Sequence, residues 1–503
     1  MSQSFCTATD AQGNALFAGL KNKKASFGNN MGDAGDVFLK QYNRSGNLLF
    51  DKAITGKALV QTAHYNTSGD FYLAGLFNDS ARFDAQHILA ATASTPIPFV
   101  AKYTASGQVQ WVRNMRVSNP QAKYIGAITT DAAGNLIVAL NDISSHQTYI
   151  KKYDDAGTEL LHIAQTNVRV ASSVVTDAAG NFYVGGSCAE NNALFNGVDL
   201  GTGFSYDKYL ISYTATGTPR WVKFVQDNSC YASDLLIDNT GKLYWAGPLF
   251  ASTSFDTITA DGKSWSYDFF LTCFDTTGAI QWLREVPQIN TADAGIGFKH
   301  NDTSAKCIAL DNDNNVYLSG FMRNTLDWGN GISNTSAGLT DIMVQKYQPD
   351  GTLLWSKTAG STSNDQASSV AVNLFGEVYV SGIAQGTLLL DTIQHTGPGL
   401  AYPVLAKIAL AADTTVISAP VIHTKKLAIY PNPALQEVLI SVDKAIRNGS
   451  VLIYNALGHV VKEQTVSGDL KEIRVDVNQL PAGMYVVQLQ AGDAVYRERL
   501  VKQ

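Results

Sequence analysis

The residues best equipped to bind a metal or act as nucleophiles are few and scattered. The eight histidines (His64, His87, His146, His162, His300, His395, His423 and His459) form no His-x-x-x-His or His–Glu pair at metal-ligand spacing. The five cysteines, Cys6, Cys188, Cys230, Cys273 and Cys307, read as small buried residues, with Cys188 and Cys230 the one pair placed to form a disulfide. Asp311-Asn312-Asp313-Asn314-Asn315 sets oxygen donors at alternate positions, as calcium loops do, which makes Asp311, Asp313 and Asn315 a weak calcium candidate. Val316 and Met322 stand where a long calcium loop needs Gly and Glu, so an Asn-rich turn is expected instead, and no cofactor. No Gly-x-Ser-x-Gly elbow is present, and Gly201-Thr202-Gly203 does not join a strand to a helix as dinucleotide-binding glycines do. No catalytic set is expected, although carboxylates from distant segments could still be paired by the fold.

The aromatics divide in two. Trp111, Trp221, Trp282 and Trp355 follow one repeated pattern and are expected to pack, as are Tyr42, Tyr103, Tyr153, Tyr213 and Tyr347. Trp265 and Trp328 stand outside that pattern, beside Tyr267, Asp327 and Asn330. A tryptophan on a variable segment next to polar groups can stack on a sugar ring, so these five residues are the candidate ligand site, against the plainer reading that they cover a sheet edge.

The elements that must position these residues are strands. Gly is abundant, at 42 of 503 residues, and Asp-x-x-Gly turns punctuate segments rich in Val, Ile, Thr, Tyr and Phe, the profile of an all-β exported protein. The turn recurs at Asp10, Asn66, Asp131, Asp177, Asp238, Asp311 and Asn373, each followed by a segment such as NFYVGG or KLYWAG. A second signature, as in Asp36-VFLKQYNRSG, Phe99-VAKYTASG and Asp341-IMVQKYQPDG, follows each one. Successive turns lie 46 to 73 residues apart, and repeats of that length with four strand signals apiece predict propeller blades. The unit resembles the SBBP-type β-propeller repeat of bacterial secreted proteins, and the resemblance implies seven blades over residues 1–412. A closing strand for such a ring is expected, if anywhere, at 409–417.

Residues 413–424, DTTVISAPVIHT, read as a linker. Residues 425–503 then hold six or seven strand signals, enough for a small immunoglobulin-like β-sandwich. They open on Tyr430-Pro431-Asn432-Pro433, pass through Leu480-Pro481-Ala482-Gly483-Met484-Tyr485, and end on a strand with Arg497, Arg499 and Lys502. This order of motifs resembles the C-terminal sorting domain of the type IX secretion system of Bacteroidota. The resemblance implies cargo recognised by the type IX translocon and sorting machinery and delivered through the periplasm to the outer-membrane surface or beyond. It also implies that the sorting signal lies in Tyr430, Pro431, Asn432, Pro433, Gly483, Tyr485, Arg497, Arg499 and Lys502.

The tail carries ten Lys/Arg against eight Asp/Glu, the remainder 27 against 35. An acidic body argues against nucleic acid or anionic membrane as the main partner. No apolar run approaches a membrane span. The opening MSQSFCTATD has neither the charged nor the apolar region of a signal peptide and reads as a mature form. The function expected is a non-catalytic binding protein for a glycan or a surface protein. The alternatives are a polysaccharide lyase or glycosidase, or a structural subunit of a surface complex.

Overall fold

The computed structural model describes residues 6–20, 34–91, 96–115, 124–142, 144–201, 207–226, 233–250, 252–262, 268–287, 294–296, 306–391, 393–396, 401–408, 427–455, 460–491 and 494–503. The chain is all-β and divides into two compact units, Met1–Ile408 and Ala409–Gln503.

The first unit is a succession of antiparallel meanders, numbered I to VII in chain order. Meander III is representative: Tyr124–Thr130, Leu136–Asp142, Gln147–Tyr153 and Glu159–Thr166 pair in sequence order. Meanders I and II share one long strand, Leu48–Tyr65, whose first half ends I and whose second half begins II. Meander VII shows three strands, Gln366–Val372, Val378–Ala384 and Tyr402–Ile408; the expected closing segment at 409–417 lies outside the described residues. Second strands such as Phe182–Cys188 and Leu243–Leu249 are buried along their whole length, which is why they read as continuous apolar runs and not as alternating ones.

The Asp-x-x-Gly segments form the tight connections between first and second strands. In each of Asp10, Asp131, Asp177, Asp238 and Asp311, Oδ1 accepts the N–H groups two and four residues on, at 2.8–3.0 Å. The fourth residue of the turn must take positive φ, as Gly180 does at 79°; Asn314 fills the place in meander VI at 61°.

Neighbouring meanders are stapled by repeated contacts. The indole N–H of Trp111, Trp221 and Trp282 donates to a carbonyl in the second turn of the next meander, at Asp155, Thr276 and Pro349. Thr176 of meander IV donates its hydroxyl to Thr130 O of III, the residues just before their turn aspartates. Meanders I and VII meet in the same manner. Thr9 donates to Val372 O at 3.0 Å, and Lys407 donates to Arg44 O, in the second turn of I, at 2.8 Å. Arg44 also pairs with Glu377 at 3.0 Å and lies over the Phe375 ring. Burial pushes the Glu377 carboxyl up, but Arg44, Lys407 and Asn373 outweigh it and hold it below its ordinary value.

The second unit is a five-stranded antiparallel arrangement of Ala428–Tyr430, Glu437–Tyr454, Val460–Asp476, Gly483–Ala491 and Ala494–Lys502. The long strand Glu437–Tyr454 pairs with Val460–Asp476 along both halves, with register shifts between Ser441 and Asn448. Val438, Ile440, Val451, Ile453, Val487 and Leu500 belong to its buried core.

Candidate functional site

In an antiparallel meander the first and third connections lie at one end of the strands, and the second connections and meander-to-meander links lie at the other. That second end holds the variable segments and the candidate ligand residues. Trp265 and Tyr267 lie outside the described residues.

Of the two readings of Trp328, an open platform and an edge cover, its burial matches the second. The residue sits on Thr325–Gly329, which pairs with Ile332–Thr335 as a small hairpin inserted between the second and third strands of meander VI. Its ring is 8 % exposed, packs 6.3 Å from Phe269 of meander V, and donates its indole N–H to Asn334 at 2.9 Å. Asp327 is exposed, and its Oδ1 accepts Gly329 N–H at 2.9 Å. Asn330 holds the tip of the hairpin at φ 53°.

Other meanders carry the same insert. Phe195-Asn196, Phe255-Asp256 and Leu390-Asp391 repeat an apolar residue followed by a positive-φ Asn or Asp, and a one-residue bulge beside Trp328 brings it into that register. Trp328 is therefore a recurring plug that covers a sheet edge. The signal was in the sequence, hidden by the bulge and by the spread in insert length.

The weak calcium candidate resolves as a turn. Asp311 Oδ2 accepts from Asn315 Nδ2, the Tyr317 hydroxyl and Lys346 Nζ, the last at 3.1 Å, so the cation beside this carboxylate is a lysine. Asn315 points its amide nitrogen, not its oxygen, at Asp311, and Asp313 is exposed. Among the described residues no three His, Cys, Asp or Glu side chains converge to hold a metal.

Cys6, Cys188, Cys273 and Cys307 are buried thiols, and burial pushes Cys188 and Cys273 up to about 12, away from reactivity. Cys230, the partner considered for Cys188, lies outside the described residues. One carboxyl pair does come together. Asp341, at the start of a third strand, and Asp365, just before the first strand of VII, are joined by a parallel bridge between Thr340 and Asn364. Burial pushes both carboxyls up, and Asp365 adds to the rise at Asp341.

One side chain of the tail signature ties its opening segment to the terminal strand. Asn432 Nδ2 donates to Arg499 O at 2.7 Å, and its Oδ1 accepts Val501 N–H at 2.8 Å, so the amide pairs with the terminal strand as a backbone would. Ala434 continues that pairing, donating to Val501 O and accepting from Gln503 N–H. The peptide bonds before Pro431 and Pro433 are cis. Tyr430 is exposed and donates its hydroxyl to Glu472. Tyr485 is buried and donates to Pro481 O. Gly483 is exposed and sits opposite Lys502 in register; Lys502 is buried, and Arg499 is exposed. Arg497 lies opposite Gln488. The Asn432 clamp was not legible beforehand, because its partners lie 67 and 69 residues away.

Residues 428–503 match the secretion system C-terminal sorting domain. That match marks the chain as type IX secretion cargo and implies interaction with the secretion machinery and export to the cell surface. No helix among the described residues is long and apolar enough to cross a membrane. No curated protein matches the chain. Among solved structures, a protein of unknown function from Bacteroides caccae overlaps at a TM-score of 0.33 and 9 % identity, over 64 % of this chain and 89 % of that one. An exo-β-1,3-galactanase from Phanerochaete chrysosporium with β-1,3-galactotriose overlaps at 0.31 and 10 %, over 100 % and 95 %. Overlaps this loose transfer neither a topology nor a substrate.

Proposed function

We propose that this type IX cargo is a seven-bladed β-propeller of SBBP-type repeats, built over residues 1–412 and carried to the surface by an immunoglobulin-like sorting sandwich at 425–503. There the propeller acts as a non-catalytic binding protein for a glycan or an envelope protein. One observation carries the architecture: meander I treats VII as its predecessor through contacts of the same kind that join IV to III, with Thr9 on Val372 O matching Thr176 on Thr130 O. A ring so closed gathers the variable connections at one end, which is where binding surfaces form on such scaffolds. Deleting residues 425–503 from the precursor in its native host tests the delivery. The truncated protein is expected folded and retained in the periplasm, and efficient surface delivery of it overturns the reading.

The second reading, a polysaccharide-active enzyme, is favoured by the Asp341–Asp365 pair, whose raised carboxyls suit proton transfer. Both carboxylates accept backbone N–H groups inside the fold, which suits a structural pair better. Loss of polysaccharide cleavage in Asp341→Asn and Asp365→Asn, with folding intact, would decide for the enzyme.

A further inference from the structure

Between the outer strands of successive meanders lies a slot, and the insert hairpins fill it. The strand Phe71–Arg82 runs across slot I/II to pair with Thr55, bringing Phe83 behind it, 7 % exposed. Phe195 fills III/IV, where its strand pairs with Gln165. Phe255 lies at IV/V and Trp328 at V/VI; at VI/VII the fully buried residue is Leu388, two before the half-buried register equivalent Leu390, beside the bridge between Gly360 and Leu389. Residues 21–33, the connection between the second and third strands of meander I, lie outside the described residues. Meander III has no insert: its second strand ends at Asp142 and its third begins at Gln147. The slot it leaves, II/III, holds a cavity of about 400 Å³ lined by Val112, Arg113, Met115, Lys151, Tyr153 and Glu159 among others. Met115 and Tyr153 are buried, while Arg113 and Glu159 reach the surface.

The chemistry of the missing plug can be read from slot IV/V. There Asp256, directly after the buried Phe255, pairs with Lys223 of the preceding outer strand at 3.2 Å. Lys223 stands two residues after the stapling Trp221; Arg113 stands two residues after the stapling Trp111. Arg113 thus holds the chain position from which Lys223 meets a plug carboxylate at IV/V, whereas Arg284, in that position at V/VI, donates to the carbonyls of Gly351 and Leu283. Its Nη2 donates to Ala156 O at 2.9 Å, which uses one of five donors. Lys151 is already matched by Glu159 at 2.7 Å, so the unbalanced charge in the slot is positive.

We propose that the II/III slot is a docking site for a turn of another protein, one offering an aromatic side chain followed by an aspartate. The ring replaces the absent plug, and the carboxylate meets the Arg113 guanidinium, the same pairing the chain makes with itself at IV/V. The proposal deepens the binding-module reading and depends on it.

The test uses the full chain and a cyclised peptide of residues 252–261, the protein's own plug. Saturable binding is expected by calorimetry, weakened about tenfold or more by Phe255→Ala in the peptide and by Arg113→Glu in the protein. An Asp256→Lys peptide should recover affinity for the Arg113→Glu protein, an exchange that a merely structural arginine would not give. Absence of binding overturns the proposal, as does binding indifferent to Phe255→Ala or Arg113→Glu. Occupation of the slot by an oligosaccharide in place of the peptide also overturns it. Failure here leaves surface delivery and glycan binding at the loop end untouched, so the two readings fail separately.

Discussion

The repeat unit and the tail use the same kind of side chain in opposite ways. In the repeat, each turn aspartate accepts N–H groups two and four residues along its own chain, as Asp177 does from Ala179 and Asn181. In the tail, Asn432 reaches Arg499 and Val501, at the far end of the unit. A local acceptor shapes a hairpin that the sequence has already begun. A distant one fixes where two ends meet, and only folding brings its partners to it. Each predicted effect below probes that difference, from the largest down.

Asp311 adds a nonlocal burden to a local turn, because Lys346 and Tyr317 also converge on it. Asp311→Ala should lower the stability of the repeat unit by about 3 kcal/mol, since the largely buried Lys346 ammonium is left unmatched. Urea unfolding of the full chain, followed through the tryptophans, all of which lie in the first unit, reads it. A loss near 1 kcal/mol would reduce Asp311 to a turn residue. Calcium should leave the wild-type midpoint unchanged, because the cation position beside Asp311 belongs to Lys346.

Asp234 is a carboxylate inside the repeat that acts at a distance, accepting Ile308 N–H of the next meander at 3.0 Å as well as its neighbour Leu235. Burial pushes it up to about 6, against the partial pull of Lys306 and the backbone donors. The folded state therefore binds this proton more tightly than the unfolded chain, whose carboxyl has its ordinary value of 3.8. Through this group, stability is greatest below about pH 4 and is lost as pH rises through 6. The gap corresponds to roughly 3 kcal/mol at neutral pH. Asp234→Asn should raise the thermal midpoint at pH 7 and flatten its pH dependence between 4 and 7. A variant that keeps the wild-type slope would place the titration elsewhere.

What the sequence disclosed follows the same division. The turns, the strand order within each meander and the tail motifs were legible because their determinants lie within a few residues; even the Asn314 substitution was readable in place. The two readings of Trp328 stayed open because its equivalence to Phe195 and Phe255 depends on a bulge, which shifts register without marking the sequence. That I meets VII was expected only as a ring the resemblance implied, and the third repeat was readable only as a short copy; the contacts and the open II/III slot themselves were not legible. The contacts join residues more than 360 apart. The slot is the absence of an insert whose purpose was unknown until its neighbours were seen in place.

Asn432 makes the smallest energetic prediction and the most pointed one. Its amide makes two hydrogen bonds to an exposed strand edge, so Asn432→Ala should cost about 1–2 kcal/mol, confined to the tail. Hydrogen exchange should quicken at Val501 and Gln503, while the amides of the strand Glu437–Tyr454 keep their protection. Asn432→Asp keeps the acceptor for Val501 N–H but loses the donor to Arg499 O, and should fall between Ala and wild type. If the sorting machinery reads the terminal strand as this clamp presents it, export should drop in the same order, Ala below Asp below wild type, with the repeat unit unaffected. Export that stays level while exchange rises would mean that the strand is read without being pinned. Asn432 would then serve the fold of the tail and not its recognition.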